Sequence, residues 1–157
     1  MTDHPHLPFR TVRGPETGLN RTLATQPLPT GSLIGPITTR HLSPRPTPWT
    51  IQVSETRHIR PHGGPEYMNH SCRPNCRIDT SSMTLHALLP VAAGTEVTFF
   101  YPSTEWHLAR PFTCWCQEPG CLGRITGADT CPAQTLTAHR LTPHIDRLLS
   151  QKRHLNC

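Results

Sequence analysis

Tyr67-Met68-Asn69-His70-Ser71-Cys72-Arg73-Pro74-Asn75 is the stretch on which the reading of this chain turns. It follows a firm break at Pro61-His62-Gly63-Gly64-Pro65 and precedes the two clearest strand candidates. These are Thr84-Leu85-His86-Ala87-Leu88-Leu89 and Glu96-Val97-Thr98-Phe99-Phe100-Tyr101, separated by a turn from Pro90 to Gly94. Period-two alternation puts Val97, Phe99 and Tyr101 on one face of the second strand.

Outward from this centre the chain reads as short strands and turns. Thr11 to Ile37 is broken by Gly14-Pro15, Gly18, Pro27, Pro29 and Gly35-Pro36. Arg40 to Pro48 carries prolines at 44, 46 and 48 and reads as a loop, whereas bulky and β-branched residues at Trp49 to Val53 predict a strand. Residues 1–10 are polar and proline-bearing, a flexible start. The chain ends in a helix. Thr142 can cap it, Pro143 suits its first position, and Leu141, Ile145, Leu148 and Leu149 form one apolar packing stripe.

Length and composition bound the class. The 157 residues suit one domain with a modest core. An apolar fraction of 34% and eighteen prolines argue against a helical bundle. No apolar run is long enough to span a membrane, and no secretory stretch opens the chain. A cytoplasmic location is expected, or a nuclear one in a eukaryote. The net charge of +5 comes from scattered arginines, with Lys152 the single lysine. No basic patch interleaved with aromatics points to nucleic acid. A monomer or weak dimer is expected.

The cysteines are more specific. A reducing compartment would keep all seven as thiols. Cys114, Cys116 and Cys121 fall within eight residues, and Pro119-Gly120 supplies a turn that lets them converge. Tetrahedral zinc takes four thiolates, so a distant fourth ligand is required, and Cys72 is the best candidate. An all-cysteine shell marks a closed, structural site. Cys76, Cys131 and Cys157 are left over.

The central stretch resembles the Asn-His-Ser-Cys-x-Pro-Asn signature of SET-domain lysine methyltransferases. Three further blocks agree in order. Gly94 to Tyr101 resembles the family's Gly-Glu-Glu-Leu-Thr-Phe-Asp-Tyr, and Cys114-x-Cys116-x4-Cys121-x-Gly123 its post-SET cysteine motif. Ala24 and Leu28 to Ile34 are similar to the stretch after its first glycine motif. The resemblance covers roughly residues 10–128.

That resemblance implies a mostly-β, β-clip fold of short strands. A pseudoknot threads the Asn-His segment beside the Tyr101 strand. The SET domain would span residues 11–110, a post-SET zinc loop residues 111–128 and a short helical tail residues 129–157. It implies S-adenosylmethionine as cofactor, held by Gly18, Leu19, Asn20, Tyr67, Asn69 and His70. Trp115 and Leu122 would cover the adenine or line the substrate channel. Tyr101 matches the catalytic tyrosine, and Cys72 the ligand that joins Cys114, Cys116 and Cys121 on structural zinc. The expected reaction is methyl transfer to a lysine amine of a protein or peptide. The alternatives are a biosynthetic enzyme acting on a small metabolite, with the same cofactor as donor or support, and a non-catalytic zinc-stabilised binding module. Two departures stand out. Gly18 is the one glycine where the family has Gly-x-Gly, and Phe100 stands where it usually has aspartate. The short span from Ile37 to Tyr67 implies an open substrate cleft.

Overall fold

A computed structural model describes residues 6–14 and 18–155. Residues 1–5 of the expected flexible start, Pro15 of the first turn and Cys157 lie outside the described residues.

The chain folds as expected into short strands with few helices. In order these are β1 (Phe9–Arg13), β2 (Asn20–Ala24), β3 (Leu33–Pro36), β4 (Thr38–Ser43), β5 (Ile51–Gln52) and β6 (His58–His62). There follow β7 (Asn69–His70), β8 (Cys76–Asp79), β9 (Thr84–Ala87), β10 (Thr98–Phe99), β11 (Phe112–Thr113) and β12 (Arg124–Ile125). Helices α1 (Ala133–Thr137) and α2 (Pro143–Leu155) close the chain. Among the described residues no helix is long and apolar enough to cross a membrane.

The strands form small sheets. Antiparallel β1 and β2 make one ribbon, β3-β9-β8 and β4-β6-β5 make three-stranded antiparallel sheets, and β11 and β12 a short hairpin. Only β7 and β10, among the described residues, pair in parallel.

Three local expectations need correction. Phe9 and Arg10 are not loose, because they pair with Ala24 and Leu23 in the β1–β2 ribbon. The first residues of the expected Arg40–Pro48 loop extend β4, whose ladder to β6 reaches Ser43 before the prolines interrupt it. Pro61 lies inside β6, and the break comes at Gly63-Gly64 instead. Gly64 has φ of +123°, and a Cβ there would stand 3.1 Å from the Phe9 ring. Only glycine adopts such a backbone without strain.

Two apolar cores result. The first joins the sheets through Leu28, Ile37, Ile51, Ile59, Leu85 and Val97, with Phe99 among them and Tyr101 packed against it. The second gathers Phe100, Ala128, Leu136 and Ile145 under the helices. Alternation therefore splits the Val97–Tyr101 stretch between cores: Val97, Phe99 and Tyr101 face one, Phe100 the other. The hydroxyl of Thr142, expected to cap α2, instead donates to the Ser103 carbonyl at 2.9 Å. The His144 Nε2–H donates to the Thr104 carbonyl at 2.7 Å. The helix is thus fastened to the turn that carries Tyr101.

Candidate functional site

The parallel pairing of β7 and β10 sets Asn69 beside Thr98 and His70 beside Phe99. Asn75 locks this register from the same motif. Its Oδ1 accepts from the Thr98 N–H at 2.9 Å and its Nδ2 donates to the Glu96 carbonyl at 2.8 Å. Asn69 Nδ2 donates to Glu96 Oε1 at 2.7 Å and to the Asn20 carbonyl at 3.3 Å.

His70 connects the two halves of the site. Its Nδ1 accepts from the Tyr101 N–H at 3.1 Å, which leaves the proton on Nε2, 3.3 Å from Cys72 Sγ. Burial, and then the charge of His139, bring His70 down to about 4, so the ring stays neutral. The Tyr101 hydroxyl donates to the Met68 carbonyl at 2.9 Å. Burial, followed by the charges of Glu105 and Glu96, holds this phenol above its ordinary range, so it remains a neutral donor.

Cys72, Cys114, Cys116 and Cys121 place their sulfurs within 4.8 Å of one another. Cys72 Sγ lies 3.9 Å from that of Cys114 and 4.0 Å from that of Cys121. Ligands on tetrahedral zinc, at about 2.3 Å from the metal, sit roughly 3.8 Å apart, so the quartet could hold such an ion. Burial pushes Cys72 up to about 11. Cys116 comes down to about 7, because hydrogen bonds led by the Glu118 amide outweigh burial. The His70 Nε2–H and the Leu122 N–H, 3.5 Å away, both point donors at the Cys72 sulfur. Such outer contacts orient a metal ligand.

Beside the quartet opens a cavity of about 1080 Å³. Leu19, Asn69, His70, Tyr101 and Trp115 line it, together with the ligands Cys114 and Cys116. Trp115 stands 83% exposed at its rim. The structure does not put Gly18, Asn20, Tyr67 or Leu122 on that wall. Gly18 turns the chain ahead of β2 at φ +65°, Asn20 contributes its carbonyl to Asn69, and Tyr67 belongs to the turn after Gly64. Leu122 packs against the second core while its amide serves Cys72.

The wall also holds residues that the sequence did not single out: Arg21, Trp49, Phe112, and the acids Glu66, Glu96 and Glu105. Glu105 is buried, and burial raises its carboxyl from 4.5 to about 7 against the hydrogen bonds from Gln52 and Thr104. A lone acid in Ser103-Thr104-Glu105-Trp106 carries no sequence pattern that could have revealed it. The raised pKa has a stability consequence. The folded state holds this proton more tightly than the unfolded one, so no penalty exists below about 4.5, and stability falls as pH rises through about 7. Glu105→Gln lacks that penalty. Urea unfolding is expected to show the variant gaining about 3 kcal/mol on the wild type between those limits.

Comparison with known proteins bears on the whole chain. A family model described as SET domain matches residues 22–102. Methyltransferase flvH of Aspergillus flavus is 36% identical over 153 residues, which covers 95% of this chain and 84% of that protein. The H3 lysine-36 specific histone-lysine N-methyltransferase of Schizosaccharomyces pombe is 35% identical over 75 residues, covering 44% of this chain and 9% of the other. The chain thus spans a small part of that histone enzyme. The crystal structure of KRYPTONITE in complex with mCHG DNA and SAH superposes with a TM-score of 0.56 over 75% of this chain and 29% of its own, at 17% identity. That likeness is one of fold.

Proposed function

The chain belongs to the SET-domain methyltransferases, and from that premise we propose that it transfers a methyl group from S-adenosylmethionine to an amine, first of all a lysine side chain of a protein or peptide. The observation that carries this reading is the convergence of Asn69, His70 and Tyr101 on one cavity wall beside the cysteine quartet.

The donor, when bound, would supply a sulfonium methyl open to in-line attack by a neutral amine, with the thioether as leaving group. Residues of the cavity that fit its polar end are Asn69 and the His70 backbone, with Trp115 available to its apolar face. Tyr101 is held by three constraints: its N–H on His70, its hydroxyl on the Met68 carbonyl, and its ring 4.8 Å from that of Phe99 and 5.9 Å from that of Phe112. A side chain so fixed can orient reacting groups without reorganising, the condition under which positioning lowers a barrier. In this reading the Met68 carbonyl, which accepts from the phenol, would be a backbone acceptor near the reacting centre. The quartet's role is structural. Zinc would fix the loop that carries Trp115 and give the cavity its wall.

A free small amine is the second acceptor considered, and the breadth of the cavity favours it. A cavity of about 1080 Å³ leaves room for such an acceptor beside the cofactor.

The test is calorimetric titration of the zinc-loaded protein with S-adenosylmethionine. Wild type is expected to bind, and Asn69→Ala to bind at least about tenfold more weakly, since it loses a hydrogen-bonded anchor of the wall. Tyr101→Phe should bind the cofactor as wild type does while single-turnover methylation slows about 100-fold. Absence of binding at millimolar cofactor would sink the methyltransferase reading.

A further inference from the structure

Glu105 is the most deeply buried of the cavity carboxylates. It is 5% exposed, whereas Glu66 and Glu96 are half-buried at the margin. Its Oε1 is held by the Gln52 N–H at 2.7 Å and the Thr104 hydroxyl at 3.0 Å. Its Oε2 makes no hydrogen bond among the described residues, although the side chain lines the cavity. Gln52 is itself fixed, its Oε1 accepting from the Trp106 N–H at 2.8 Å and its Nε2 donating to the Ser54 carbonyl at 3.0 Å. The Glu105 N–H donates to the Tyr101 carbonyl at 2.9 Å, so the acid sits one turn from the tyrosine on a single rigid corner.

A buried carboxylate with a free, oriented oxygen is costly unless a cation meets it. Arg21 and Arg110 also line the cavity, but among the described residues neither forms an ion pair with Glu105, and the Tyr101 and Phe112 rings on the same wall favour a positive charge over a neutral group. We propose that Glu105 is the specificity-determining residue of this site, its free oxygen receiving the amino group of the methyl acceptor. The inference deepens the methyltransferase reading and rests on it. The acceptor enters as an ammonium, R–NH3+, and pairs with the carboxylate. In the desolvated pair one N–H bond breaks and an O–H bond forms, leaving R–NH2 and a neutral Glu105. The amine lone pair then forms the bond to the methyl carbon while the S–CH3 pair returns to sulfur, giving R–NH2–CH3+ and S-adenosylhomocysteine. The raised Glu105 pKa agrees with this, since it narrows the gap to the amine that the carboxylate must deprotonate.

The test uses the full, zinc-loaded chain saturated with S-adenosylhomocysteine, titrated calorimetrically with n-butylamine and, separately, with 1-butanol. Wild type is expected to prefer the amine to the alcohol. Glu105→Gln, which keeps the acceptor for Gln52, should lose about tenfold or more in amine affinity, with little change for the alcohol. Glu105→Asp, which retains the charge but withdraws it by a methylene, should also weaken the amine. Amine affinity unchanged in a folded variant, or no amine binding to wild type at millimolar concentration, overturns the proposal. If the wild type fails to bind S-adenosylhomocysteine yet the variants still separate amine from alcohol, the cofactor reading has failed and the role of Glu105 stands.

Discussion

Cys114→Ser is expected to abolish stoichiometric zinc and to collapse the wall of the cavity. Elemental analysis should find one zinc per wild-type chain and none in the variant. The reasoning starts from how little else holds that loop. Between β11 and β12, each two residues long, the segment from Cys114 to Gly123 has no regular structure. Of its residues Cys114 alone is buried. Among the described residues its backbone bonds are Cys114 N–H to the Gly123 carbonyl, Cys121 N–H to that of Glu118 and Arg124 N–H to that of Leu122. A loop with so few contacts needs another source of order, and structural zinc sites contribute on the order of 10 kcal/mol of apparent binding energy at neutral pH. The loss should fall locally. The first core contains none of the four ligands, so its amides should keep their protection from hydrogen exchange while those around Cys114 to Cys121 lose it. Because Cys114, Trp115 and Cys116 line the cavity, cofactor affinity should drop about 100-fold or more with the metal. Cys131→Ser, outside the quartet, should keep its zinc. A Cys114→Ser protein that still binds one zinc tightly would show that the quartet is not the site.

The parts of this site that were legible were those in which chemistry restricts residue type. Counting ligands leaves one place open, because tetrahedral zinc takes four and the loop offers three, and Cys72 is the best candidate for it. Its sulfur does converge with the others across 42 residues of separation from Cys114. Alternation in the stretch of residues 96–101 was legible, since Val97 and Phe99 are buried on one face, but the strand expected there shortens to Thr98–Phe99 and Tyr101 opens a 3-10 turn. What escaped was set by pairing at a distance. β6 contains Pro61 and three basic residues, a poor strand by propensity, and exists because it lies between β4 and β5. Gln52 and Glu105 are 53 residues apart, and nothing local in either announces that one holds the other. The glycine-poor Gly18-Leu19-Asn20-Arg21 segment carried the resemblance only weakly. Of these four, Leu19 and Arg21 reach the cavity wall.

Phe100→Asp, which installs the residue the wider family favours, is expected to destabilise this protein by about 5 kcal/mol or more. Phe100 is 2% exposed and is the largest side chain among those fully buried. It stacks on His139 with ring centroids 3.8 Å apart and planes 9° from parallel, and it joins Ala128, Leu136 and Ile145 in the second core. Truncating a buried phenylalanine costs roughly 3–5 kcal/mol through lost transfer energy and the cavity left behind. An aspartate adds the cost of hiding a carboxylate, or of protonating it, in the same apolar space. His139 could partly offset that by taking a proton, but burial lowers its pKa, so the pair would form at a further desolvation cost. Phe100→Leu separates the two effects, since it keeps the core apolar and should cost well under half as much. Hydrogen exchange locates the damage. Protection should be lost first in α2, whose Ile145 rests in the second core, and kept in β3, β8 and β9. The consequence reaches the site through Thr142 and His144, whose bonds to the Ser103 and Thr104 carbonyls tie α2 to the corner bearing Tyr101 and Glu105. Freed of that tie, the corner should position both residues less well, and methylation should fall further than cofactor binding. A variant of native stability would mean that Phe100 does not seed the second core. One that lost stability but kept full single-turnover activity would mean that the helical tail does not brace the corner.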